Sequence, residues 1–309
     1  MRPGVLRRFA LLLPALTSLL GSQAVAAPSL ADRLVRIDRA TAWTPAAQIA
    51  VQFPTFHPQG MVKIGAAFFV SSVEVKQYPA RLAGAPGARS PGAGVGQLFR
   101  MSADGALLAD LVLGEGDAYH PGGIDFDGES LWVSVAEYRP DSAAIIYRVD
   151  PATLKATEVL RVADHIGAVA YDPETRTLHG VSWGGRRFYA WKLKPGGGAQ
   201  APKVVRNPSS YIDYQDCRHL GGRRMLCSGL ADYRSPKGGS LSLGGLEIVD
   251  LRDHRPAWQA PVPLWSPSGR AMTQNPTYVE ATAAGVRAWF MPDDDRSTLF
   301  AYEAAAPVN

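Results

Sequence analysis

Apolar residues in this 309-residue chain come in short runs that alternate with small or polar positions, and turn dipeptides break the runs every few residues. In the clearest case, residues 120–126 and 131–135 flank Asp127-Gly128, a pair that accepts the positive φ of a tight hairpin turn. The inner strand pair recurs five times, opening at His57-Pro58-Gln59-Gly60, His120-Pro121-Gly122-Gly123, His165-Ile166-Gly167, Tyr214-Gln215-Asp216-Cys217 and Asn275-Pro276-Thr277-Tyr278. The second strands are 67–73, 131–135, 178–183, 224–230 and 287–291. Most copies lead into a further pair, such as 98–101 and 107–113 around Asp104-Gly105.

Units of four strands at a period of 45 to 63 residues predict an all-β fold, a single β-propeller of four-stranded antiparallel blades. Five blades is the expected count. Six is the alternative, because the last copy lacks one strand while the N-terminal segment offers two, 34–38 and 48–53. An N-terminal strand closing the ring removes an exposed sheet edge. The Pro- and Gly-rich stretch 79–96 and the Gly- and Ser-rich stretch 235–245 read as surface insertions. Beyond residue 26 no helical period stands out.

Composition adds compartment and partners. Arg2, Arg7 and Arg8 precede an apolar run, 9–20, and Ala24-Val25-Ala26 follows, which predicts a signal peptide over 1–26 and a soluble propeller domain over 27–309. A secreted or periplasmic monomer with no membrane span follows. Removing those three arginines from 32 basic residues leaves 29 against 28 acidic, a balance that excludes a nucleic-acid partner and favours a small-molecule or glycan ligand. No phosphate loop, dinucleotide fingerprint or Gly-x-Ser-x-Gly elbow occurs, so no nucleotide cofactor is expected. Cys217 and Cys227 flank Gly221-Gly222-Arg223 and would face each other across a hairpin, as a disulfide requires.

The start of the first strand and the end of the second share one face of a blade, so that face gathers the candidate chemistry. The first position carries His57, His120, His165, Gln215 or Asp216, and Asn275; the second carries an acid-x-base repeat, Glu74 with Lys76, Glu137 with Arg139, Asp232 with Arg234 and Asp294 with Arg296. The third unit departs, with Trp183-Gly184-Gly185-Arg186. Two readings of the histidines stay open: His57, His120 and His165 hold one divalent metal ion of unassigned identity, or they bond neighbouring backbone and close the ring. The acids likewise read either as a catalytic cluster, with Glu137, Asp232 and His120 as its members, or as ordinary solvated charges. Glu74, Arg139, Trp183, Arg186, Asp216, Asn275 and Asp294 are the candidate ligand-binding residues, although Asp293-Asp294-Asp295 by itself reads as a solvated turn.

His120-Pro121-Gly122-Gly123-Ile124 followed by Leu131-Trp132-Val133-Ser134 resembles the blade motif of gluconolactonase, paraoxonase and strictosidine-synthase-like propellers. Residues 33–303 are most similar to an uncharacterised group of secreted bacterial and fungal propellers, a domain of unknown function. The resemblance to the named enzymes implies six blades, lactonase or esterase activity and an axial metal, usually calcium, held by Glu, Asn and Asp. Asn275 and Asp216 match that set in type, whereas the remaining axial positions are histidines. The expectation is therefore a secreted propeller with a polar site at its channel mouth. That site serves either metal-assisted hydrolysis of small esters, lactones or sugar derivatives, or non-catalytic binding of a ligand or protein at the cell envelope.

Overall fold

In the computed structural model, which describes residues 28–84 and 88–306, nearly every regular element is a strand. The expected signal peptide lies outside the described residues. The described strands pair as five antiparallel four-stranded units: 57–113, 120–162, 166–206, 213–262, and 277–305 joined by Trp43–Ala50. Units two and three share a sheet through a single parallel bridge between their inner strands, Gly123 to Ala168. Within each of the first four units chain order is spatial order, as consecutive hairpins produce. In the fifth, Trp43–Ala50 pairs antiparallel with Thr298–Ala305 and supplies the missing outer strand.

The N-terminal segment contributes one strand rather than two. Of residues 34–38, expected as a strand, Leu34 ends the helix Leu30–Leu34 and the rest follow it; at the start of that helix Ser29 Oγ accepts the Asp32 N–H and the Asp32 carboxylate accepts the Ser29 N–H at 3.0 Å. At five residues the helix is too short to show a helical period. Its apolar residues serve a different end: Leu34 and Ile37 are buried among Leu226, Leu246 and Val279, between units four and five. Parts of both expected insertions are also strand, in Ala93–Met101 and Ser240–Asp250. Cys217 and Cys227 are directly opposed, 4.1 Å apart at Cα, and form a disulfide. With that bond, and with no described helix long and apolar enough to cross a membrane, the chain is compatible with a secreted or periplasmic protein.

The inner strands meet at one carboxylate. Asp216, on the inner strand Asp213–Gly221, is 4% exposed. Its Oδ2 accepts the Met61 N–H at 2.9 Å, its Oδ1 accepts the Ile124 N–H at 3.1 Å, and the Thr277 N–H is a third donor. Those amides belong to the inner strands of units one, two and five. Burial pushes the Asp216 carboxyl well up, and the three N–H donors oppose that rise. Two glycines of the recurrent motif make the approach feasible: a Cβ on Gly60 would lie 2.5 Å from Ile124 N, and one on Gly123 would lie 2.6 Å from Asp216 Oδ1. Asp125 extends the scheme, accepting N–H groups of Tyr171 at 2.9 Å and of His219, in units three and four. Asp216 was expected among the ligand-binding residues; its carboxylate is instead taken up by backbone.

Replacing Asp216 by Ala strands three amides where water does not reach. We expect a loss of at least about 3 kcal/mol in urea-unfolding stability, since each unsatisfied buried donor costs on the order of 1 to 3 kcal/mol. A loss below about 1 kcal/mol would show that apolar packing alone holds the inner strands together.

Candidate functional site

Four of the five inner strands carry a register break at their start: between Pro58 and Gly60, Pro121 and Ile124, Ile166 and Ala168, and Tyr214 and Asp216. Bulges of this kind re-aim side chains and leave room beside a site. The residues inside three of these breaks, Gln59, Gly167 and Gln215, line a cavity of about 710 Å³. His57, His120, His165 and Asn275, all at expected first-strand positions, line it too, so the predicted face is the one that carries the cavity.

The three imidazoles stand in a row. Adjacent ring centroids are 6.0 Å apart for His57 and His120 and 6.2 Å for His120 and His165. His165 Nδ1 lies 2.8 Å from the Glu137 backbone carbonyl, which can only accept, so Nδ1 carries the hydrogen and Nε2 keeps its lone pair. Burial holds this ring neutral, down at about 4, against that hydrogen bond and the nearby Asp164. His57 Nδ1 lies 2.8 Å from Asp294 Oδ1. Burial opposes ionisation of Asp294, but hydrogen bonds from His57, Arg270 and Asn275 outweigh it and hold the carboxyl at about 2. His57 therefore donates through Nδ1 and keeps Nε2 for the cavity. His120 is 4% exposed, stacks on Tyr138 with centroids 4.0 Å apart, and has no hydrogen-bond partner on either nitrogen. Its burial, reinforced by His57 and His165, drives its pKa well below the ordinary value.

The acid-x-base repeat divides into two kinds. Glu74 pairs with Lys76 and Glu137 with Arg139, the latter at 2.6 Å, and none of the four lines the cavity. Glu137 acts there through its carbonyl, while its carboxylate, expected in the catalytic cluster, is turned to Arg139. Asp232 lines the cavity but bonds Ser242 rather than Arg234. Asp294 pairs with Arg270 at 2.7 Å and with His57, not Arg296, so it is no solvated turn residue. Trp183 and Arg186 line the cavity as expected, Trp183 edge-on to His165 at 4.8 Å and Arg186 paired with Asp213. Sequence reasoning passed over Tyr138, Tyr233, Ser242 and Asp213. Tyr138 had a signal, being the middle residue of Glu137-x-Arg139.

Among the described residues, one group of three potential metal-ligating side chains brings its ligand atoms within 4.8 Å of one another, and it is Asp172, Glu174 and His219. These could hold a metal ion. The upper histidines converge less closely, so an ion bound there would have to draw them together.

A family profile covers residues 15–307. The chain belongs to DUF6454, a family of unknown function. No curated protein matches this DUF6454 chain. Among solved structures it is similar to a luciferin-regenerating enzyme, at 9% identity and TM-score 0.47 over 87% of this chain and 98% of that one. It is also similar to MPT-4, a mannose phosphorylase from Leishmania mexicana in complex with phosphate ion, at 11% identity and TM-score 0.45 over 86% and 94%. Kuenenia stuttgartiensis hydrazine synthase matches at 13% identity and TM-score 0.39 over 79% of this chain and 58% of that one. At these identities and scores the likenesses assign no chemistry to the DUF6454 chain, and its architecture rests on the strand pairing above.

The neutral rings have a measurable linkage. An unfolded imidazole titrates near 6.5, so below that pH the unfolded chain takes up a proton that folded His165 refuses until about 4, and stability is lost as pH falls. Between pH 7 and 4.5 the wild type should lose about 2 kcal/mol more than His165→Gln in urea unfolding, from the free-energy value of a pKa shift. Parallel pH profiles for the two proteins would show that His165 titrates as an exposed ring.

Proposed function

We propose that this chain is a secreted propeller enzyme that hydrolyses a small, uncharged ester, lactone or sugar derivative in the channel-mouth cavity, with His57 as general base. The observation that carries this reading is the His57–Asp294 pair. Asp294 is fixed from three sides, by His57 at 2.8 Å, Asn275 at 3.0 Å and Arg270 at 2.7 Å, and so fixes the imidazole in turn. An imidazole held through Nδ1 by a carboxylate is the arrangement in which Nε2 takes a proton while the carboxylate stabilises the imidazolium formed. In hydrolysis, water attacks the acyl carbon, its proton passes to His57 Nε2, the acyl–oxygen bond breaks, and the same proton leaves on the departing alkoxide.

The class of substrate follows from the walls. Among the cavity's lining residues the one cation, Arg186, is taken by Asp213, and Asp232 accepts the Ser242 hydroxyl, so no free cation awaits an anionic substrate and Gln59 and Gln215 are left to meet a neutral polar molecule. Tyr138, Trp183 and Tyr233 add aromatic surface for a ring. The unpartnered nitrogens of His120 suit a divalent ion shared with His165, whose Nε2 keeps its lone pair, so that His57 Nε2 stays free for the proton. Such an ion would polarise a carbonyl or acidify a bound water. A monomer acting on a small molecule, with no nucleic-acid partner, completes the reading. The rival is a non-catalytic binding module; the same pairing of wall charges and aromatic surface supports it, since neither feature requires turnover.

A panel of lactones, aryl esters and acylated sugars separates the two. Turnover by the wild type should fall at least about 100-fold in His57→Asn and in Asp294→Asn of confirmed fold, the scale of a lost general base. Stoichiometric binding of a panel member without turnover would move the binding module to first place.

A further inference from the structure

The three histidines that the repeat does not account for, His179, His219 and His254, lie at the interface of units three and four, and His219 meets two carboxylates there. Asp172 ends the inner strand Ile166–Asp172, Glu174 lies in the turn that follows, and His219 stands near the end of Asp213–Gly221. Both strands begin beside the cavity, at Gly167 and Gln215. At about 3.3 Å per residue, four or five residues of strand place the cluster roughly 15 Å away, at the opposite end of the ring.

We propose that Asp172, Glu174 and His219 form a structural site for a divalent transition metal of the zinc type, which clamps the turn of unit three to the hairpin of unit four. The His219 side chain is nine-tenths buried, and its Nε2 has no hydrogen-bond partner. That nitrogen stands 3.7 Å from Asp172 Oδ1, too far for a hydrogen bond. Two ligands on one zinc ion, each at about 2.0 to 2.2 Å, stand roughly 3.4 Å apart, so a small closure suffices. The carboxylates are already set. Asp172 Oδ1 accepts the N–H groups of Glu174 at 3.0 Å and Thr175 at 3.3 Å, its Oδ2 accepts the Thr175 hydroxyl at 2.6 Å, and Glu174 Oε1 accepts the Gly222 N–H at 2.9 Å. Bonds of this kind orient ligands and keep them in place before the ion arrives.

The donor set selects the metal. One imidazole with two carboxylates favours zinc or a neighbouring borderline ion over calcium, which takes six to eight oxygens. Three protein ligands leave a fourth position for water, and the exposure of Glu174 gives the ion a way in.

The test is zinc titration of the chelator-stripped, folded chain, followed by metal content and thermal unfolding. Glu174→Gln keeps a carbonyl oxygen for the Gly222 N–H, so it removes a ligand with little disturbance to the turn, and it backs up His219→Ala. The wild type should take up zinc with a rise in Tm of roughly 5 °C at a hundredfold excess over Kd. His219→Ala and Glu174→Gln should each bind one equivalent less, whereas His120→Ala should keep that equivalent. A wild type that binds no zinc, or His219→Ala and Glu174→Gln proteins that bind the full amount, would overturn the proposal. Because the readout is metal and stability, it stands apart from any result on hydrolysis.

Discussion

One carboxylate at the centre of the ring sets the terms for everything around it. Asp216 draws backbone N–H groups of three other inner strands to a single point, and Asp125 does the same for the remaining pair of units. A buried carboxyl is costly unless its lone pairs are met, so the strands must come close enough to meet them. That demand explains the glycines at 60 and 123, where a side chain would collide with the backbone or with the carboxylate itself. It also explains why the strand starts are bulged: the backbone turns inward to the carboxylate at one residue and outward to the cavity at its neighbour. Gln215 faces the cavity while Asp216, next in sequence, faces the packed axis.

The site is therefore a by-product of how the ring is tied. His57, His120 and His165 occupy the same step of consecutive units, just above the bulges, and the ring's curvature brings them into one row. Their environments then separate them. His57 has a carboxylate, His165 a carbonyl and His120 only the faces and edges of other rings. Three identical side chains at equivalent positions are thus given three different environments by what lies behind each one.

Much of this was readable before any coordinates. Alternation and turn dipeptides placed the inner strand pairs, because a strand's period of two is visible over six residues. The cysteine pairing was readable for the same reason, across the hairpin turn at Gly222-Arg223. What could not be read were contacts fixed by the ring rather than by the repeat. Asp294 takes Arg270 instead of Arg296, and Asp216 serves the backbone of units whose sequences lie up to 155 residues away. Residues 34–38 misled because an apolar plug and an outer strand share the same composition. Asp172, Glu174 and His219 belong to no common motif, since two adjacent turns from different units bring them together.

The outer strand of the last unit carries a consequence for how the molecule comes into being. Trp43–Ala50 is the first of the described strands to be made, and its partner Thr298–Ala305 is the last of them. Until the final strand emerges the circle has two open ends, and each presents unpaired backbone to its surroundings. Contacts this distant in sequence are slow to form. Closure of the ring is thereby postponed until both strands are present, and until then the four units between them are held only by their own hairpins and by the contacts of the inner strands.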